Sequence, residues 1–441
     1  LMPNKIILKK RISNFNKKIS IPGDKSISIR WVLISSLANG VSKAENLLMS
    51  DDVLASIQAI KKFGVKVIVK KNFCKIHGVG VNGYNYKKNI FINARNSGTL
   101  GRLISGILID SPFPIKIIGD KSLSKRDFKR IAKPLGKFGA SFQLRNNYSL
   151  PLIVKGSQKL KPIKFFENKG SAQIKSSVLF GGIKSDGKTI IKAKKSRNHT
   201  EILFKYLKLP IKIKKLKNYD LIEIHKVNKI SPLNYKIPSD ISSGAFFIAL
   251  TALTKKSQII IKNVNVNPTR IGVIKILKKM GVKISLINKK IYKGEQIANI
   301  LVKSPKILKA INCPPKLNSE AIDEFLIIFL IAAKAKGVSI FKNLDELNKK
   351  ESPRLIWGSK ILRMMGVKVI TTKNSIKIFG NPDLAINKKI IIQKYLKDHR
   401  VFMTSVIAAL SYGGEWHIHD RKSFETSFPS FLKIINTFKN E

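Results

Sequence analysis

One short phrase recurs in this chain and constrains its fold more than any other feature. A helical stretch ends on glycine, and a β-branched run follows. It reads Ile60-Lys-Lys-Phe-Gly64-Val-Lys-Val-Ile, Leu135-Gly-Lys-Phe-Gly139-Ala, Leu277-Lys-Lys-Met-Gly281-Val-Lys-Ile and Leu362-Arg-Met-Met-Gly366-Val-Lys-Val-Ile. Glycine takes the left-handed position past a helix end, and a strand then begins. Four near-copies indicate an internal repeat of α/β units.

A second phrase pairs a small polar cluster with an apolar helix. It occurs at Asp24 to Arg30, Asn96-Ser-Gly-Thr99, Gly170-Ser-Ala-Gln173, Pro238 to Ser243, Asn318 to Glu324 and Asp398-His-Arg400. The helices that follow are too apolar for a surface and are expected in the interior. Three copies precede residue 238 and three follow it, counting the Pro238 cluster with the second half. The expectation is two similar domains, one over 22–238 and one over 1–21 with 239–441, a short hinge near Pro238, and a cleft between them. Each cluster taken singly reads as ordinary N-capping. Six together suggest helix N-termini that gather around anions.

The first cluster is the most pointed. Pro22-Gly23 sets a turn, and Ile29, Val32, Leu33 and Leu37 fall at helical spacing. A helix is expected from about Ser26 to a stop at Asn39-Gly40. Lys25, Ser26 and Arg30 then stand at its mouth, where backbone N–H groups and the dipole favour phosphate or carboxylate. A capped surface helix with solvated cations fits the same residues.

The 441 residues, 44% hydrophobic, suffice for two or three domains with real cores. No apolar run is long enough to span a bilayer, and the first residues lack a hydrophobic signal region. Cys74 and Cys313 cannot form a disulfide framework, and no Cys/His spacing resembles a metal site, which fits a reducing cytoplasm. The formal charge of +58, from 84 Lys+Arg against 26 Asp+Glu, suggests nucleic-acid binding or compositional drift toward Lys, Ile and Asn. No arginine-rich arm or interleaved aromatic platform supports the former, so drift is the preferred reading. Either way the field draws in anionic small molecules.

From Ile21 to Phe431 the chain resembles the EPSP synthase family. The resemblance lies in Pro22-Gly-Asp-Lys-Ser-Ile-Ser, Asn96-Ser-Gly-Thr99, Gly119-Asp-Lys-Ser-Leu with Arg126, Ser171-Ala-Gln173, Ser196-Arg-Asn-His-Thr-Glu201, Lys350-Glu-Ser-Pro-Arg354, Asp398-His-Arg400 and Ser427-Phe-Pro. It implies an α/β fold of two domains, each three βαβαββ-type units around buried parallel helices, an inside-out α/β barrel. It implies that phosphoenolpyruvate joins the 5-hydroxyl of 3-phosphoshikimate by addition and elimination. The family uses no metal or organic cofactor, and the chain is expected to act as a cytoplasmic monomer without membrane or nucleic-acid partners.

The resemblance also assigns roles. Asp323 takes the hydroxyl proton, Glu351 exchanges a proton with the methylene carbon, and Lys25 touches phosphoenolpyruvate and helps move protons. The 3-phosphoshikimate side is given to Lys25, Ser26, Arg30, Ser171, Gln173, Ser196, Arg197, Asp323 and Lys350. The phosphoenolpyruvate side is given to Lys25, Asn96, Gly98, Arg126, Gln173, Arg354 and Arg400. Read from the residues alone, Asp323 opens a very apolar helix, where partial desolvation strengthens a base. A capping role there is compatible with that, and Glu324 is a competing source of capping charge. His199 reads as a structural, hydrogen-bonded histidine, and His399 as a residue that orients Arg400 or the phosphate.

The chain departs from the family pattern at Ile29, usually His or Asn; at Pro353, usually Asp; at Asn348, usually Arg; and at Thr426, where some members carry Lys. Pro353 puts the placing of Arg354 in question. Two other readings stand beside this one. A related transferase acts on UDP-N-acetylglucosamine and uses a reactive loop cysteine, but neither Cys74 nor Cys313 lies in such a loop. A basic nucleic-acid-binding protein of the same fold that has lost catalysis is the other.

Overall fold

The structure is a computed structural model and describes residues 4–439. Helices alternate with strands, and one pattern repeats along the chain. The second unit shows it fully: strand Phe91–Asn93, helix Gly98–Ile107, strand Ile115–Ile118, helix Lys129–Gly136, then strands Ser141–Arg145 and Ser149–Lys155. Its first two strands pair in parallel, and the hairpin adds antiparallel. The third unit repeats this with Lys164–Glu167, Lys188–Lys194, Ile211–Lys215 and Tyr219–His225.

Sheets that lack a local edge strand take one from far away. Tyr235–Lys236 lies parallel to Ala44-Glu45 in the first sheet. Asn16–Ile19 lies parallel to Gln258–Asn265 in the fourth. In the sixth, Lys5–Leu8 pairs antiparallel with Glu415–His419 and takes the place of a hairpin. In the fifth, an isolated bridge from Asn312 to Ile340 marks the edge position.

The chain divides into two compact bodies. The first holds Gly23–Ile237 and the turn Tyr292–Glu295; the second holds the residues up to Pro22, Pro238–Ile291 and those from Gln296 onward. The four turn residues therefore lie with the first body, although a division of the sequence at 238 places them in the other. The reason is a buried anchor: His199 and Glu295 meet inside the first body at 2.5 Å, both side chains fully buried. Tyr292 packs on Tyr235 and accepts a hydrogen bond from the Lys236 N–H.

Each body has its own apolar core. Six helices run through these cores: Lys25–Ser36, Gly98–Ile107, Ala172–Gly182, Ile241–Leu253, Phe325–Lys334 and His399–Tyr412. They are apolar all round because they are covered all round; every residue of Ile241–Leu253 is buried. Amphipathic helices such as Asp51–Lys61 and Gly272–Lys279 carry lysines in their last turns and face water on one side. Gly64, Gly139, Gly281 and Gly366 all have positive φ, 84°, 118°, 97° and 84°. The repeated turn therefore has its expected backbone cause.

The first helix differs at both ends from the expectation. It opens at Lys25, one residue early, because Asp24 is its N-cap and accepts from the Ile27 N–H at 2.8 Å. It closes at Ser36, and Asn39-Gly40 begin the strand Asn39–Glu45 instead of ending the helix. Gly40 is required there by space: a Cβ would lie 2.8 Å from Pro232 Cγ at φ +130°.

Candidate active site

In the first body the polar clusters do come together. Ser97 and Ser171 cap their helices by accepting from Leu100 N and Ile174 N. Gln173 then joins the two helix starts: its Nε2 donates to Thr99 Oγ1 at 3.1 Å, and its Oε1 accepts from Arg102. The Lys25–Ser36 helix is tied in by Arg30. Its Nε donates to Thr200 Oγ1 at 2.8 Å, its Nη2 to Ser176 Oγ at 3.2 Å and its Nη1 to the Ser26 carbonyl at 3.0 Å. Arg30 is 3% exposed, so it works as a strut between three helices as well as a cation at the helix mouth. Lys25 is half-buried, and its ammonium lies 3.0 Å from Asp52 Oδ2.

Two guanidinium groups converge on Gly98. A Cβ built there would stand 2.8 Å from Nη1 of Arg102 and 2.8 Å from Nη1 of Arg126. Glycine leaves room for both cations beside open backbone, an arrangement that suits a small carboxylate or phosphate. Arg102 does not figure among the residues expected from the sequence. Its signal was a lone cation inside an otherwise apolar helix, where charge is rarely buried without purpose. It is held by the Asp127 carbonyl and lies 4.8 Å above the Phe128 ring.

The loop before Ser171 wraps a buried carboxylate. Glu167 accepts from the N–H groups of Lys169, Gly170 and Ser171 at 2.8, 2.9 and 3.2 Å. Burial raises its pKa above the usual range; the three N–H groups and Lys175 pull the other way. Ser196 and Arg197 precede the helix His199–Tyr206, whose N-cap residue Asn198 makes no side-chain cap bond. The Ser196 hydroxyl is buried and has no hydrogen-bond partner among the described residues. A buried free hydroxyl beside a helix start is a place for an anion's oxygen. His199, Thr200 and Glu201 anchor this helix in three directions, to Glu295, to Arg30 and Ser176, and to Lys175 at 2.9 Å. His199 is thus a buried, hydrogen-bonded residue.

The second body gathers carboxylates around Arg354. Its Nε and Nη2 form a two-point contact with Asp398 at 2.9 and 3.1 Å. Nη2 also donates to Glu351 Oε2 at 2.7 Å, and Nη1 to Asp323 Oδ1 at 3.4 Å. Burial, the largest single influence, disfavours the Arg354 charge, but Asp398, Glu351 and Asp323 outweigh it and raise the pKa above arginine's ordinary value. Lys350 adds a second cation 3.4 Å from Asp323 Oδ1. Asp323 is partly desolvated, as expected, and is ion-paired with Arg354 and Lys350. The N-cap position of the helix Phe325–Lys334 falls to Glu324, whose side chain makes no cap bond; it is buried and accepts from the Ser242 hydroxyl.

Asp398 caps the last buried helix through the Arg400 N–H at 2.9 Å and accepts from Ser352 Oγ at 2.7 Å. Arg400 donates to the Ser242 carbonyl at 3.2 Å and lies 5.7 Å from the Phe246 ring centre. Arg270, which no motif flagged, is 2% exposed and bridges Asp240 and Ser242 at 3.1 and 3.0 Å. His399 is buried at the start of the same helix as Arg400.

The two departures near Arg354 explain each other. Pro353 stands at the N-cap of Arg354–Met364 and offers no capping side chain. Asn348 supplies it instead, its Oδ1 accepting from Leu355 N at 3.0 Å and Ile356 N at 3.3 Å. Ile29 is fully buried, and Thr426 donates to the Ser423 carbonyl at 3.1 Å. Both thiols are buried, and burial pushes Cys74 up to about 12 and Cys313 up to about 11, so neither is a ready thiolate. Among the described residues no cluster of His, Cys, Asp and Glu could hold a metal, and no helix is long and apolar enough to cross a membrane.

Comparison with known proteins bears on the whole chain. A family model described as EPSP synthase (3-phosphoshikimate 1-carboxyvinyltransferase) matches residues 9–435. The 3-phosphoshikimate 1-carboxyvinyltransferase of Ruthia magnifica subsp. Calyptogena magnifica is 40% identical over 419 residues, covering 95% of this chain and 94% of that protein. That of Caldicellulosiruptor bescii is 37% identical, covering 95% and 96%. The EPSP synthase structure from Acinetobacter baumannii superposes with a TM-score of 0.85 at 34% identity, over 99% of this chain and 98% of that one. The enolpyruvyl transferase NikO from Streptomyces tendae, 12% identical with a TM-score of 0.76 over 98% and 97%, shares the fold. With a family model that spans residues 9–435, a relative 40% identical over 95% of the chain and a solved structure of the same fold at 34% identity, the chain belongs to the EPSP synthase family.

Proposed function

We propose that the chain transfers the enolpyruvyl group of phosphoenolpyruvate to the 5-hydroxyl of 3-phosphoshikimate, releasing phosphate, as a cytoplasmic enzyme of aromatic amino-acid biosynthesis. The observation that carries the chemistry is that one guanidinium, Arg354, holds both Asp323 and Glu351. Two carboxylates fixed by one group are what an addition followed by an elimination needs.

In the addition, the 5-hydroxyl oxygen bonds to C2 of the enol and gives its proton to Asp323, while C3 receives a proton from the carboxylic-acid form of Glu351. In the elimination, C3 returns a proton to Glu351, the C2–O bond to phosphate breaks, the double bond re-forms, and the proton held by Asp323 passes to the departing phosphate. Lys350 and Arg354 keep Asp323 in place. Lys25 neutralises phosphoenolpyruvate and assists proton movement, with Asn96, Gly98, Arg126 and Gln173 on the same substrate. Arg354 and Arg400 are assigned to phosphoenolpyruvate as well. Ser26, Arg30, Ser171, Gln173, Ser196, Arg197, Asp323 and Lys350 hold 3-phosphoshikimate. The free Ser196 hydroxyl supports its phosphate role. Four of the five Arg354 donor positions meet carboxylates, which supports a second duty as organiser of the acid–base pair.

Buried thiols at raised pKa disfavour the cysteine-dependent transferase for UDP-N-acetylglucosamine. Phosphate release tested with each substrate omitted in turn decides the matter. Release that needs both substrates is expected; release with UDP-N-acetylglucosamine in place of 3-phosphoshikimate, or none at all, overturns the reading.

A further inference from the structure

We propose that Asp120 is the positioning residue of the phosphoenolpyruvate half-site, orienting the Asn96 amide and fixing the turn that delivers Arg126. The inference rests on the reading of Asn96 and Arg126 as phosphoenolpyruvate contacts.

Asp120 lies between the strand Ile115–Ile118 and the turn Leu123–Lys125. Every polar group it has is engaged. Its N–H donates to the Arg95 carbonyl at 2.7 Å, and its own carbonyl accepts from Ser124 N at 2.9 Å. Oδ1 accepts from Leu123 N at 2.8 Å, and Oδ2 from Asn96 Nδ2 at 2.9 Å. The backbone completes the stitching: Ala94 N donates to the Ile118 carbonyl at 2.8 Å, and Arg126 N to the Leu123 carbonyl at 3.0 Å. The loop 94–97 and the loop 118–126 are therefore one body with a single carboxylate at its centre.

Two consequences follow from elementary chemistry. An ionised carboxylate only accepts hydrogen bonds, so it fixes which end of the Asn96 amide turns inward. A flipped amide would press Oδ1 against Oδ2. Asn96 is 6% exposed and has little room to escape that choice. The other carboxylate oxygen pins the turn from which Arg126 emerges, and the Arg126 guanidinium is one of the two that reach Gly98, two residues past Asn96. One side chain thus sets the distance between two groups meant for one anion.

The test compares D120A and D120N with the parent in the phosphate-release assay, and measures 3-phosphoshikimate binding alone by calorimetry. For D120A the KM for phosphoenolpyruvate rises about tenfold or more, the scale of a lost charge-assisted hydrogen bond. Binding of 3-phosphoshikimate stays at the parent value, and D120N, which keeps one acceptor oxygen, falls between. A D120A enzyme with parental KM for phosphoenolpyruvate overturns the proposal. So does one whose affinities for both substrates fall together, since that is general loosening of the body. A parent protein that releases no phosphate from the two substrates removes the underlying reading and this proposal with it.

Discussion

Arg354 provides the most demanding test of how the second body holds its carboxylates. Consider Arg354→Met, which keeps the length of the side chain and removes its charge and donors. Asp398, fully buried, loses a two-point contact and retains the Ser352 hydroxyl and the Arg400 N–H. Glu351 and Asp323, with side chains 13% and 16% exposed, lose a shared partner. Stranding one partner of a buried ion pair costs about 3–5 kcal/mol. Set against a typical domain stability of about 5–15 kcal/mol, that is a large fraction of what holds the second body together. The loss is expected to shrink as pH falls, because protonating the stranded carboxylates removes the charge whose burial is costly. Arg354→Lys, a single point charge, cannot serve three carboxylates and falls between. Denaturant unfolding followed by tryptophan fluorescence measures this. Trp357 and Trp416 lie in the second body and Trp31 in the first, so carrying Trp31→Phe in all variants isolates the relevant transition. A loss below about 1 kcal/mol would place the variant with ordinary surface changes and refute the reasoning, as would a loss independent of pH.

Asp323→Asn and Glu351→Gln should each abolish phosphate release yet leave 3-phosphoshikimate binding by calorimetry largely intact; near-parental turnover in either removes that residue from the mechanism. Gly98→Ala places a methyl 2.8 Å from Nη1 of both Arg102 and Arg126, so both guanidinium groups must withdraw. Its KM for phosphoenolpyruvate should rise while that for 3-phosphoshikimate holds, and equal changes in both would contradict the placing of Gly98. Glu295→Ala removes the hydrogen-bond partner of His199 Nδ1 in a site where both side chains are fully buried, and thermal unfolding should register a loss of about 1–3 kcal/mol. Replacing both partners, His199→Leu with Glu295→Met, should recover most of it, because an apolar pair leaves no stranded polar group.

Much of the fold was legible because its causes are local. A left-handed residue is needed where each peripheral helix turns into a strand, and glycine marks it at 64, 139, 281 and 366. The corresponding turn in the third unit escaped notice because Lys208 occupies it at φ +57°, a cost that surrounding contacts sustain. The buried helices declared themselves by being apolar on every face, and five of their six starts are capped by a member of the polar cluster that precedes them. Asn39-Gly40 misled because glycine before a strand and glycine after a helix look alike in sequence; only the nearness of Pro232 tells them apart. What stayed hidden is non-local. Nothing in Asn16–Ile19 or Tyr235–Lys236 says which sheet it will join. Arg102 and Arg270 sit among apolar or small residues, and their partners are chosen by packing alone. The pair Pro353 and Asn348 carries the point furthest. Each looked like erosion of a motif when compared one position at a time. In three dimensions the proline removes a cap and the asparagine five residues earlier replaces it, so Arg354 still opens its helix and still reaches Asp323, Glu351 and Asp398. The motif is therefore better understood as a set of hydrogen bonds to be satisfied than as a string of letters, and a departure matters only when no neighbour takes over the lost bond.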